Sequence, residues 1–221
     1  MSVLPVTLLV VAKAPVPGRA KTRLAATVGD QVAARIAAAA LLDTLEAVAA
    51  TPVATRVVAL TGELDDAADA DEIRRRLASF AVISQRGNDF GDRLANAHAD
   101  AAVDGHPVLQ IGMDTPQVTA ELLGDCARRL MESSAVLGLA RDGGWWALGV
   151  RTPGHAQCLR DVPMSQPDTG ALTWKALHGN GVDLAALDEL ADFDIADDVA
   201  AVRAVCRPGS RFAQVTRAAG L

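Results

Sequence analysis

The chain has 221 residues, 50% of them hydrophobic and 3% aromatic, with a formal net charge of −6 and an isoelectric point near 5.2. That apolar content is enough for a full core of mostly aliphatic side chains, and the acidic balance argues against a surface that tracks nucleic-acid phosphates. Cys126, Cys158 and Cys206 are widely spaced with no CxxC pair, so neither a disulfide framework nor a zinc site is suggested and a reduced, cytoplasmic protein is expected.

Residues 6–12 form a β-branched and leucine-rich run that reads as a buried first strand. The run has no basic leader or cleavage site, and Lys13 stops it short of a membrane span. The stretch VVAKAPVPGRAKTRL, residues 10–24, then becomes a loop: Pro15 and Pro17 forbid helix or ladder pairing, and Gly18 lets the backbone turn or approach a ligand. Lys13, Arg19, Lys21 and Arg23 place four cations at the carboxyl end of that strand, where open α/β sheets bind ligands. In an acidic chain this cluster points to phosphate, although neither GxGxxG nor GxxxxGK[ST] is present.

Residues 30–50 predict a helix with Asp30 as its cap and Thr51-Pro52 as its stop. Val32, Ile36, Ala39, Leu42, Leu45 and Val48 give it one apolar face. Strands follow at 56–60, 80–84, 107–111, 135–140, 145–150 and 182–187. The helices between and after them fall at 71–79, 92–103, 119–133 (capped by Thr119), 171–178 and 196–206. This alternation predicts one α/β domain over residues 1–206, a mostly parallel sheet covered on both faces, with mixed pairing among the later strands. Residues 207–221, with Pro208-Gly209, are expected to be a loosely attached tail.

Three acidic turns complete the polar inventory. Asp114 directly follows the 107–111 strand; it either caps a turn before Pro116 or serves as a hard-oxygen ligand for the Mg²⁺ that accompanies a polyphosphate. Asp142-Gly143-Gly144 is either a plain tight turn or a place where backbone amides approach an acceptor. The run from Asp192 to Asp198 favours a helix amino end, with Asp194 the residue placed to complete a metal shell. His98, His106, His155 and His178 share no ligand spacing. Of Trp145 and Trp146, one indole can line an acceptor pocket, although core packing is the weightier reading.

The runs AKAPVPGRAKTRL, GMDTP, RDGGWWALGV and DFDIADDV, in that order and spacing, resemble a bacterial family described as glycosyltransferase-like, or radical-SAM/selenodomain-associated transferase 1. The likeness spans about residues 6–206. That family is placed in the three-layer, Rossmann-like GT-A (nucleotide-diphospho-sugar transferase) fold and is similar to the 2-phospholactate and molybdenum-cofactor guanylyltransferases. The resemblance implies that Gly18, Arg19, Lys21 and Arg23 hold nucleotide phosphates, in a binding set with Ala12 and Lys13. It implies Asp114 as a metal ligand, and Asp142, Gly143 and Gly144, with Trp145, at the acceptor. Met113 and Thr115 stand where the family has serine and cysteine, Arg141 and Trp145 where it has an acidic residue and tyrosine or phenylalanine, and Asp114 lacks the second Asp of a DxD.

The expected activity is therefore Mg²⁺- or Mn²⁺-dependent transfer of a sugar from a nucleotide-diphosphate sugar to an unidentified small acceptor. Asp114, Lys21 and Asp142 are the catalytic candidates, and Asp114 and Asp194 the metal ligands. The rival expectation is nucleotidyl transfer, in which a nucleoside triphosphate gives its nucleoside monophosphate to a phosphate or phosphonate acceptor with pyrophosphate release, which four cations and a single Asp suit. A third is a nucleotide-binding protein without catalysis.

Overall fold

The computed structural model describes residues 2–102 and 104–221. At its centre lies β1 (Leu4–Lys13), flanked in parallel by β2 (Val53–Thr61) and β4 (Val108–Gly112). Every residue from Val6 to Ala12 is buried, because a central parallel strand has helices on both faces and tolerates no polar alternation. Beyond β2 lies β3 (Ala81–Ser84), also parallel. On the other side β6 (Trp145–Val150) runs antiparallel to both β4 and β5 (Ala135–Leu139), and β7 (Leu184–Ala186) pairs parallel with β5. The seven-stranded order is β3-β2-β1-β4-β6-β5-β7, so the mixed pairing expected of the later strands resides in β6. Strands grow away from β1 in both directions, which opens a crevice beyond the carboxyl ends of β1 and β4.

A short helix, α1 (Thr22–Val28), was not foreseen; it begins where the cationic loop ends. Helices α2 (Asp30–Ala50), α3 (Ala70–Leu77) and, later in the chain, α5 (Ala120–Glu132) cover one sheet face through Leu41, Leu45, Ile73 and Leu123. The opposite face is covered by α4 (Phe90–Ala101), a 3-10 segment (Pro153–Asp161) and α6 (Thr169–Gly179) through Leu94, Leu159 and Leu177. Asp89 caps α4, its carboxylate accepting from Asp92 N at 2.8 Å, and Thr119 caps α5 as expected. Val103, the expected end of α4, lies outside the described residues. Among those residues no helix is long and apolar enough to cross a membrane.

Two expectations are corrected in this layer. Gly29, at φ 82°, occupies the cap of α2, and Asp30 is its first helical residue, favourable there through the helix dipole. Nor is α2 buried on one face only: it lies between the sheet and an outer layer formed by α1, α7 (Ala196–Val205) and α8 (Arg211–Ala218). A helix buried on both sides needs apolar residues all round, which explains the alanine run through Ala40.

The expectation of a loose tail is also overturned. The turn at Pro208-Gly209 leads into α8, whose Phe212 is fully buried with Leu24, Ile36 and Phe193. Asp43 of α2 accepts from Arg211 N at 3.1 Å and Phe212 N at 2.8 Å, satisfying donors that a helix amino end leaves unpaired. Burial pushes its carboxyl above the usual range against the pull of those donors and of Arg211.

His98 of α4 is fully buried, and among the described residues neither ring nitrogen has a partner in hydrogen-bond geometry. Burial holds its imidazole down to about 4, opposed by the nearby Gln110 amide. An unfolded histidine titrates near 6.5, so between these values the folded state binds fewer protons and the stability present above pH 6.5 is lost as pH falls through 4. Denaturant unfolding at pH 7, 5 and 4 should show this acid loss smaller in His98→Leu than in the parent, by up to about 3 kcal/mol. Parallel stability profiles for the two proteins would contradict it.

Candidate functional site

The loop leaving β1 is a compact turn. Ala14 N donates to Thr61 O at 2.9 Å, Pro15 O accepts from Ala68 N at 3.0 Å, and Val16 O accepts from Arg19 N and Ala20 N. Gly18, at φ 74°, supplies the left-handed step, and its α-carbon faces Asp30 rather than the crevice. Lys13, Arg19 and Arg23 are exposed, whereas Lys21 turns inward from a left-handed backbone at φ 46°, ψ 50°.

The Lys21 side chain is only 11% exposed, and its Nζ donates to Asp114 Oδ2 at 2.8 Å, Asp194 Oδ1 at 2.8 Å and Phe193 O at 2.6 Å. It also lies 4.3 Å from the centroid of the Phe193 ring. Burial alone would lower its pKa, but Asp114 and Asp194 outweigh that and raise it above the ordinary lysine range. For Asp114 burial acts upward and Lys21 prevails, holding the carboxyl below its ordinary value. The loop after β4 and the loop before α7, far apart in sequence, are thus joined by one ammonium. Arg23 stands 3.5 Å from Asp194 but is 74% exposed, so that pair carries little energy.

Two adjoining cavities, of about 520 and 450 Å³, share Lys13, Met113, Asp114, Ser165 and Asp194. The smaller is lined by Arg19, Lys21 and Arg23; the larger contains Ala12, Asp142, Gly144, Trp145 and Asp192. Asp142 Oδ1 accepts from Gly144 N at 2.8 Å, which sets the turn between β5 and β6. Strand alternation separates the two indoles: Trp145 lines the cavity, while Trp146 is buried and donates from Nε1 to Asp188 O at 2.9 Å. Burial and then the like charges of Asp142, Asp114 and Asp194 push the Asp192 carboxyl up to about 6, so this end of the cavity holds excess negative charge.

Gly143 stands back from the cavities at φ 91°, and a Cβ there would overlap the Pro167 carbonyl. Its own carbonyl accepts from Gly170 N at 2.8 Å, docking the turn on the start of α6. Gly143→Ala combines a disfavoured backbone with that overlap and should lower stability by about 2–4 kcal/mol, read by thermal or denaturant unfolding. A loss under about 0.5 kcal/mol would mean the turn has another way to pack.

Among the described residues no group of three or more His, Cys, Asp or Glu stands in metal-ligand geometry. Two carboxylate oxygens and one carbonyl oxygen nevertheless converge on a single cationic point, the position of Lys21 Nζ. Hard oxygens of this kind fit Mg²⁺ or Mn²⁺, and Mg²⁺ needs only one or two protein carboxylates besides substrate phosphates and water.

Several lining residues were not anticipated from sequence: Gln85, Arg93, Gln110, Met164, Ser165 and Thr169. Gln110 carried a readable signal, a single amide within the otherwise apolar VLQIG strand. Ser165 lies in the segment between the 3-10 segment and α6, and, like Lys21, adopts a left-handed backbone without being glycine, here at φ 59°. Nothing in the local pattern marks Arg93 or Ser165.

Sheet order, mixed strand and crevice define the nucleotide-diphospho-sugar transferase fold. A Desulfovibrio desulfuricans G20 protein, provisionally assigned as a nucleotide-diphospho-sugar transferase, superposes with a TM-score of 0.83, covering 99% of this chain and 95% of its own at 24% identity. CMP:2-keto-3-deoxy-manno-octonic acid synthetase, solved with CTP, aligns at a TM-score of 0.54 over 90% of this chain and 97% of its own at 11% identity. A Mycobacterium tuberculosis H37Rv protein crystallised with manganese aligns at 0.53 over 89% and 97% at 20% identity. Residues 44–166 match the family DUF2064, described as an uncharacterized protein conserved in bacteria, and the chain belongs to that family. No curated protein matches the chain.

Proposed function

We propose that this protein is a divalent-metal-dependent transferase that moves a sugar from a nucleotide-diphosphate sugar to a small acceptor. The observation that carries the reading is the convergence of Asp114 and Asp194 on one cationic point where two cavities meet, beside three exposed cations. The likeness to the glycosyltransferase-like, selenodomain-associated family and the description of the D. desulfuricans protein favour the sugar donor.

In this reading Lys13, Arg19 and Arg23 grip the phosphates, with Ala12 lining the cavity beside them and Gly18 shaping the loop. Guanidinium groups suit this because their planar forks match phosphate oxygens. Asp114 and Asp194 would hold Mg²⁺ or Mn²⁺, which when bound neutralises charge on the departing nucleoside diphosphate. Lys21 leaves the carboxylates for the phosphates and stabilises the same developing charge. Asp142 uses one oxygen to fix Gly144 and has the other available to take the proton of an acceptor hydroxyl, while Trp145 walls the acceptor. Gly143 acts through the turn it permits.

Nucleotidyl transfer is the second reading, favoured by a single Asp after β4 next to four cations and by the CTP-bound neighbour. Incubation with panels of nucleotide sugars and triphosphates, with Mg²⁺ or Mn²⁺, separates the two. Release of nucleoside diphosphate supports the first and pyrophosphate the second; tight binding without turnover across both panels would point to a non-catalytic nucleotide binder.

A further inference from the structure

A third cavity, of about 640 Å³, adjoins the two already described and lies between the Asp142 turn, the segment leading into α6 and the start of α7. It shares Asp142, Gln166 and Asp192 with the larger cavity and Arg23 with the smaller. Among the described residues only two line all three spaces, Asp194 and Ser165. A group that passes from a phosphate-bound donor to an acceptor has to occupy the point where the donor's space meets the acceptor's. Asp194 marks that point through its bond to Lys21, and Ser165 is the other residue that borders it.

Ser165 is held there under strain. Its backbone is left-handed at φ 59°, a conformation that a side chain disfavours and glycine adopts freely. The turn that imposes it is fastened by one buried side chain. Thr169 Oγ1 donates to Pro163 O at 2.8 Å and accepts from Gln166 N at 3.0 Å, while Thr169 N donates to Gln166 O at 3.1 Å. Pro163 and Pro167 restrict the chain on either side, and Met164 packs against the core that contains Leu94, Leu159 and Leu177. None of these bonds uses Ser165, which is exposed and whose N–H, carbonyl and hydroxyl have no protein partner among the described residues. Glycine would serve this turn better, so the hydroxyl is not there for the fold.

The chemistry of the junction selects what it meets. Ser165 Oγ can donate one hydrogen bond and accept others, whereas the ionised carboxylates of Asp142 and Asp192 only accept. The cations of the third cavity are engaged, Arg23 by Asp194 at 3.5 Å and Arg141 by Glu189 at 3.7 Å. A further anion would therefore meet like charge, while a polyhydroxyl group can donate to the carboxylates and accept from the serine. We infer that Ser165 binds the sugar of the donor and selects a hydroxylated group at the transfer point, the third cavity giving the acceptor its approach to Asp142. The assignment rests on the sugar-transfer reading, because in nucleotidyl transfer the group at that point is a phosphoryl.

Paired affinities test this without turnover. UDP-glucose against UDP, and GDP-mannose against GDP, each measured by calorimetry on the full chain with Mg²⁺, isolate what the sugar adds to binding. In the parent protein at least one of the two sugars should tighten binding over its bare diphosphate. Ser165→Ala should reduce that gain about three- to tenfold, the share of one hydrogen bond, and leave the affinity for the diphosphate unchanged. Ser165→Gly should lose the same gain and, with the backbone relieved, melt about 2–4 °C higher. A sugar that adds no affinity in either pair overturns the proposal. So do equal losses for diphosphate and diphosphate sugar, which would make Ser165 a phosphate contact, and a lower melting temperature in Ser165→Gly, which would make it structural. Pyrophosphate release from a triphosphate by the parent, with the sugar gain still dependent on Ser165, would instead sink the sugar-transfer reading alone.

Discussion

Asp114→Asn should abolish metal-dependent turnover, by about 10²–10³-fold or more, while leaving metal-free nucleotide affinity near that of the parent or slightly tighter. The substitution keeps the side chain's shape and removes one negative charge from the pair converging on Lys21 Nζ. Lys21 retains Asp194 and Phe193 O, so it remains partnered, but its hold on the carboxylates weakens and it becomes more available to phosphate. Arg19→Ala should behave oppositely, losing about tenfold or more in metal-free affinity because guanidinium–phosphate bonds need no bridging ion. Calorimetric titration of both variants in EDTA and in Mg²⁺ measures this. Equal losses of metal-free affinity in the two would mean that Asp114 is not a metal ligand.

Phe212→Ala should cost about 3–5 kcal/mol of stability, as expected for emptying a large aromatic site in a packed interior. Phe212 and Phe193 are both fully buried, with ring centroids 4.7 Å apart at an interplanar angle of 48°. The effect should reach the site, because the Phe193 carbonyl and ring both contact Lys21. Denaturant unfolding gives the energy, and the Lys21 ammonium resonance reports loosening. Stability within about 1 kcal/mol of the parent would show that α8 is peripheral after all.

What the sequence disclosed depended on how local the cause was. The run through β1 was readable because a central parallel strand must be apolar at every position, and Thr119 because its cap is made within its own helix turn. The outer face of α2 was hidden: alanine packs on a sheet or a helix equally well, so its pattern reveals one apolar stripe and not the second. Pro208-Gly209 has the chemistry of a terminus and of a turn alike, and only Phe212 entering a distant core decides between them. The cation cluster located the crevice, yet nothing in its composition separates the inward Lys21 from its exposed companions. That division is made by Asp114 and Asp194, 93 and 173 residues away.

The ammonium between Asp114 and Asp194 also bears on the order of events. A shared lysine offsets much of the repulsion between the two carboxylates, so the resting protein has less electrostatic drive to take up a free divalent ion than the bare pair would have. In the proposed reading phosphates offer Lys21 a competing partner, and its departure would expose the pair. Metal and nucleotide should therefore enter as one unit, each raising the other's affinity by the same factor, as linkage requires. The protein would then hold little metal when the donor is absent, and the ion would depart when the spent nucleotide leaves and the lysine returns.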